Sequence, residues 1–195
     1  PIAGLLATAA GLFGATALLA FLVAQAVGFN ALEILWDFRQ LARLALIHAL
    51  LIVPFGCAAT AICLSFTAFP TRIPRLYAAD ITGAAAGGLG SVGLLTIMRP
   101  ETALRGIAVA GLAAGTLVVW RGGQRRTIVG FALAVLVVLA LPVSWTALRS
   151  SPYKELAQTL QVAGTRVVAE TSSPLGVVTV VESLTVPFRH APGLS

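Results

Sequence analysis

The chain has 195 residues, of which 58% are hydrophobic and 10% charged, with a net charge of +6. A soluble domain carries about a quarter charged residues, and a mean hydropathy of +0.95 leaves too little polar surface to clothe a core in water. Disordered chains, disulfide scaffolds and nucleic-acid-binding modules are excluded, and an all-α helical bundle in a lipid bilayer is the class that remains.

Charge-free stretches give the map. Residues 1–32, 44–71, 81–98, 106–120 and 127–148 carry no Asp, Glu, Lys or Arg. A spanning helix needs about 20 mostly apolar residues. Five membrane helices are therefore expected, at 2–27, 42–66, 79–98, 103–120 and 127–147, the fourth being the shortest of marginal length. Phe29 to Leu41 mixes Glu33, Asp37 and Arg39 with Leu32, Ile34, Leu35, Trp36 and Phe38, a pattern suited to a helical piece lying in the interface. Phe69 to Arg75, with Pro70, Pro74, Arg72 and Arg75, reads as a turn at the headgroups, as do Arg99-Pro100-Glu101 and Arg121 to Arg126. Trp36, Trp120 and Trp145 fall near helix ends, where an amphipathic ring is favoured.

All the bases except Lys154 and the tail's Arg166 and Arg189 are arginines in short connections near helix ends, as expected of interfacial anchors beside anionic headgroups. They divide almost evenly between the two sides, so the positive-inside rule assigns no orientation. Ala24-Gln25-Ala26 mimics a signal-peptidase site, but the apolar run before it is long and lacks a basic start. Pro1 reads instead as a cut point inside a longer polypeptide.

From Ser150 the character changes. Ser151-Pro152 is an N-cap followed by proline at the first helical position, predicting a short helix to about Leu160 or Gln161. Two β-type runs, 165–170 and 177–182, flank Ser172 to Gly176 and predict a hairpin. One helix and one hairpin bury too little for an independent domain. The division expected is a transmembrane helical domain over 1–148 and, over 149–195, the opening of a soluble α+β domain whose remainder lies elsewhere.

Several motifs could carry chemistry. Gly88-Leu89-Gly90-Ser91-Val92-Gly93 matches G-x-G-x-x-G, but no strand precedes it and no acid follows at the right distance. Helix packing accounts for it better, together with Gly83-x-x-x-Gly87 and Gly111-x-x-x-Gly115, where small residues let backbones approach. The third and fourth helices are expected to pack closely, against each other or against other helices. Ser151-x-x-Lys154 lacks the partner motifs of a penicillin-binding enzyme. His48, alone on its helix, reads as a neutral imidazole bonded to a carbonyl of a neighbouring helix. Gln25 reads as an interhelical hydrogen bond. Pro54 should kink the second helix. Cys57 and Cys63 point about 120° apart on a helix, which excludes a disulfide or a metal pair between them. Asp80 is expected at a helix N-terminus, as a cap paired with Arg72 or Arg75, or as a contact to a ligand or to another domain.

Two stretches together carry a resemblance. Ile73-Pro74-Arg75-Leu76-Tyr77-Ala78-Ala79-Asp80-Ile81-Thr82-Gly83-Ala84-Ala85-Ala86-Gly87 resembles the R-x-Y-x-A-D-L-x-G-A-x-x-G pattern before a membrane helix in bacterial spermidine-synthase-like membrane proteins. Ser173 to Ser183 resembles the first strand of a spermidine synthase N-terminal β-domain, which begins S-x-Y-Q, and Ser151-Pro152-Tyr153-Lys154 is a second match to that start. Lys154 or Gly176 stands where the family has Gln. The distinctive motifs occupy about 30 residues.

The resemblance implies aminopropyl transfer from decarboxylated S-adenosylmethionine to a polyamine by the parent protein, or a related transferase built on an S-adenosylmethionine fold. It also implies a bacterial inner-membrane location with the tail in the cytoplasm, and a C-terminal synthase-like domain as partner. That domain would carry the catalysis, so no catalytic, cofactor-binding or metal-ligating residue is assigned to this chain, which alone is expected to be inert. The bilayer is the other expected partner, nucleic acid is not one, and a homo-oligomer is left open. A transporter or carrier subunit and a purely structural anchor are the alternatives. The Gly-rich third helix and the Pro-bearing second favour a carrier, and the scarcity of intramembrane charge disfavours it.

Overall fold

The computed structural model describes residues 2–120, 125–148 and 154–184. The described elements are mostly helical: α1 (Ile2–Ala26), α2 (Phe38–Ala68), α3 (Ile73–Ile97), α4 (Pro100–Trp120), α5 (Arg125–Ala140), α6 (Val143–Thr146) and α7 (Glu155–Thr159), then strands β1 (Thr165–Ser173) and β2 (Gly176–Ser183). Four of them, α1, α2, α4 and α3 with the turn before it, are long and apolar enough to cross a membrane.

The fifth expected span, 127–147, is not one continuous helix. Helix α5 ends at Ala140 and a separate turn, α6, opens after Pro142. Proline has no amide hydrogen to donate to the preceding turn and its ring clashes with the carbonyl four residues back; the run 127–147 breaks at Pro142, whereas α2 accommodates Pro54. The second span starts earlier than expected. Asp37 accepts a bond from the Arg39 amide at 3.0 Å and caps α2 at once, leaving only a 3-10 turn at Ala31–Glu33 of the interfacial helical piece. Helix α2 runs unbroken through Pro54.

Helix α1 is central. It packs between α2 and α4, and α5 lies on α4. Its buried positions Ala7, Gly11, Gly14 and Leu18 recur at spacings of three and four, one stripe of an α-helix. On α4 the buried set Ala108, Gly111, Leu112 and Gly115 has the same spacing. The two stripes meet antiparallel. A Cβ on Gly115 would lie 2.8 Å from the Ala7 carbonyl oxygen, and one on Gly111 would lie 2.9 Å from Gly14 Cα. Leu18, Ala108, Leu112 and Val138 form the apolar centre, with Phe131, Ala134 and Val135 of α5 behind it.

Helix α3 stands apart, with no buried residue along its length. A Cβ at Gly83, Gly87, Gly88, Gly90 or Gly93 would meet nothing within 4 Å. The tail is a small two-stranded antiparallel sheet that touches α3 through β1. Its turn is Pro174-Leu175, followed by Gly176 at φ +155. The ladder slips at Val168, which is unpaired between Val167↔Val181 and Ala169↔Val180.

Candidate functional site

The polar side chains that make specific contacts gather at one end of the bundle. Helices α1 and α5 end there, and α2 and α4 begin there. Every acid except Asp80 lies in its loops or in the tail beyond it.

Gln40, only 1% exposed, organises the α1–α2 connection. Its side-chain oxygen accepts the Asn30 amide at 3.0 Å, and its nitrogen donates to Glu33 at 2.9 Å and to Asp37 at 3.4 Å. Asn30 in turn accepts from the Leu32 amide at 3.1 Å, and Arg43 donates to the Gly28 carbonyl at 2.6 Å. A buried amide needs such partners, and here they lock the loop onto α2. Arg105 does the same for α5 and α6. Its guanidinium donates to Thr146 Oγ1 at 2.6 and 2.9 Å and to the Pro142 carbonyl at 2.8 Å. Those bonds satisfy the carbonyl at the break and bury Thr146 completely.

The α3–α4 turn holds a charged triad. Arg99 pairs with Glu170 of β1 and lies 3.6 Å from Glu101. Glu101 sits in the first turn of α4, where a carboxylate complements the helix dipole, and it is 4% exposed. Beside the turn, a cleft of about 550 Å³ opens between α3 and α4, walled by Gly87, Gly90, Leu94, Leu104 and Ile107 with Phe21 of α1. Ser91 is its one hydroxyl, and that donates to the Gly88 carbonyl at 2.8 Å.

Of the residues singled out in the sequence, Gly111 and Gly115 lie in the α1–α4 contact, whereas Gly83 faces open space and Gly87 lines the cleft. Asp80 lies two turns inside α3, because that helix begins at Ile73. It is exposed and makes no ion pair with Arg72 or Arg75 among the described residues. Pro74 can sit in the first turn because the amide it lacks would have no partner there. His48 is exposed, and its Nδ1 lies 2.8 Å from the Leu44 carbonyl of its own helix rather than a neighbour's. Cys57 and Cys63 are free thiols. Ser151 and Pro152 lie outside the described residues, and α7 begins at Glu155.

Among the described residues no three His, Cys, Asp or Glu side chains are grouped so as to hold a metal ion. The arrangement can bind helices, anchor a loop and tether a hairpin. Gln40, Thr146 and the partner stripe on α1 are the structural residues that sequence reading missed. Only the last had a signal, in Ala7-x-x-x-Gly11-x-x-Gly14. No family model, curated protein or solved structure matches the chain.

Proposed function

We propose that this chain is the membrane-embedded helical unit of a spermidine-synthase-like protein, carrying the first strands of an extramembrane domain and catalytically inert by itself. The observation that carries the reading is the order of parts: four helices long enough to cross a membrane, then a β-hairpin tied by Glu170 to the α3–α4 turn. The parent would transfer an aminopropyl group from decarboxylated S-adenosylmethionine to a polyamine, or act as a related transferase. Its reaction would take place on the domain that follows the hairpin. In this reading the bundle sits in a bacterial inner membrane and the hairpin on its cytoplasmic side.

A second reading, a carrier subunit, draws on the α3–α4 cleft. The apolar lining offers a polar solute little to bind, and Ser91 is already engaged. The test is the coding sequence that follows Ser195. A glycine-rich nucleotide loop with an aspartate close behind supports a synthase-like parent. A stop codon supports a structural anchor, and further apolar helices support a carrier.

A further inference from the structure

We propose that Arg99 is a shared latch, for which Glu101 and Glu170 compete, and that this competition sets how firmly the β1–β2 hairpin is docked on the α3–α4 turn. The backbone of Arg99 is fixed. Its carbonyl accepts from the Thr102 and Ala103 amides at 3.0 and 3.1 Å, and the preceding Met98 amide donates to Leu94 at 2.8 Å. Only the side chain is free to choose a partner. One guanidinium nitrogen donates to Glu170, while another lies 3.6 Å from Glu101, beyond hydrogen-bond reach. Among the described residues this is the one ion pair between the hairpin and the helices.

The bulge at Val168 aims the latch. Paired residues point to the same side of a ladder, so Arg166 and Ala169 share a face through Glu182 and Val180. Glu170 shares the other face with Val167, through Thr179 and Val181. An uninterrupted strand would put Glu170 beside Arg166 instead. The face with Glu170 is the more covered one, with Thr165, Ser172, Thr179, Val181 and Ser183 half-buried. It hides Thr165 Oγ1 and Ser172 Oγ without hydrogen-bond partners, which weakens docking. A two-stranded hairpin is marginal by itself, so a modest change at Arg99 should be felt along both strands. Glu101 supplies that change. Its side chain is 5% exposed and has no other cation beside it among the described residues, so it draws the guanidinium away from Glu170.

Hydrogen–deuterium exchange on the whole chain in detergent micelles tests this. Glu170→Gln should speed exchange of amides 165–183 roughly two- to fivefold, the range of a partly exposed ion pair, with α1 and α4 unchanged. Glu101→Gln should slow exchange in the same segment, because Glu170 then holds Arg99 alone. Unchanged hairpin exchange in Glu170→Gln overturns the latch, as does acceleration that spreads to α1 and α4. Unchanged or faster hairpin exchange in Glu101→Gln overturns the competition.

Discussion

Gly14 of α1 and Gly111 of α4 meet backbone to backbone. A Cβ on Gly111 would sit 2.9 Å from both Cα and N of Gly14, and one on Gly14 would overlap the Ala108 carbonyl. Neither helix can yield without losing the contacts of Ala7 with Gly115 on one side and Leu18 with Ala108 on the other. This close approach fixes the separation of the two central helices.

Gly14→Ala and Gly111→Ala should each cost about 1–3 kcal/mol, because the added methyl overpacks against backbone that cannot turn away. Gly83→Ala should cost nothing and can gain up to about 1 kcal/mol from helix propensity, since open space surrounds it. Thermal unfolding in detergent separates the two cases. A loss at Gly83 equal to that at Gly111 would mean that α3 is covered by a partner.

Replacing Gln40 by Leu should loosen the α1–α2 connection. The Asn30 amide, now buried against Gln40, would lose its acceptor, at a cost of about 1–3 kcal/mol. Gln40→Glu should be worse, since it removes the donor to Glu33 and Asp37 and sets a third carboxylate beside them. Faster amide exchange over residues 28–37 is the expected readout, and protection equal to wild type in both variants would show that the knot is dispensable.

Inserting one residue between Val180 and Val181 gives Val168 a partner across the ladder. The strands should then pair without interruption, and Glu170 should rotate to the face of Arg166. A bismaleimide cross-link between Arg99→Cys and Glu170→Cys should form with Val168 unpaired, once Cys57 and Cys63 are replaced by serine, and fail when the insertion pairs it. Equal cross-linking in both backgrounds would show that the bulge does not aim position 170.

What could be read in advance follows from what each feature depends on. Helix positions and the hairpin depend on local apolar runs and turn residues, and both were legible. Gly111 and Gly115 were legible as a contact surface, but the stripe on α1 that they meet was not, because spacing on one helix does not name its partner. Helix α3 begins earlier than the turn residues predict because Pro74 falls in its first turn, where a helix tolerates proline, and Pro70 opens the 3-10 turn before it. The last run breaks at Pro142 while α2 carries Pro54 without a break, so a proline in an apolar run does not by itself announce where a helix stops. Gln40 was missed because a glutamine among Glu33, Asp37 and Arg39 looks like solvated surface, and only tertiary packing makes it 1% exposed. The role of Glu170 depends on a one-residue slip in the ladder that no periodicity announces.

The isolated chain should bind neither S-adenosylmethionine nor its decarboxylated form. A nucleoside site of that kind needs a Gly-rich strand-to-helix turn and an acid for the ribose hydroxyls. Here Gly88, Gly90 and Gly93 lie within α3, and a polyamine amine would need several carboxylates in one cavity. Five of the seven acids are otherwise engaged. Glu33 and Asp37 hold Gln40, Glu101 and Glu170 face Arg99, and Glu182 pairs with Arg166 at 2.9 Å. Asp80 is about 25 Å along α3 from its end at Ile97, at 1.5 Å per residue, and Glu101 lies beyond that end in α4, so the two cannot share a small site. The α3–α4 cleft brings apolar walls and one occupied hydroxyl. Titration calorimetry on the purified chain decides the matter: no heat of binding is expected, and saturable binding of either nucleoside at micromolar concentration would place a ligand site within these helices.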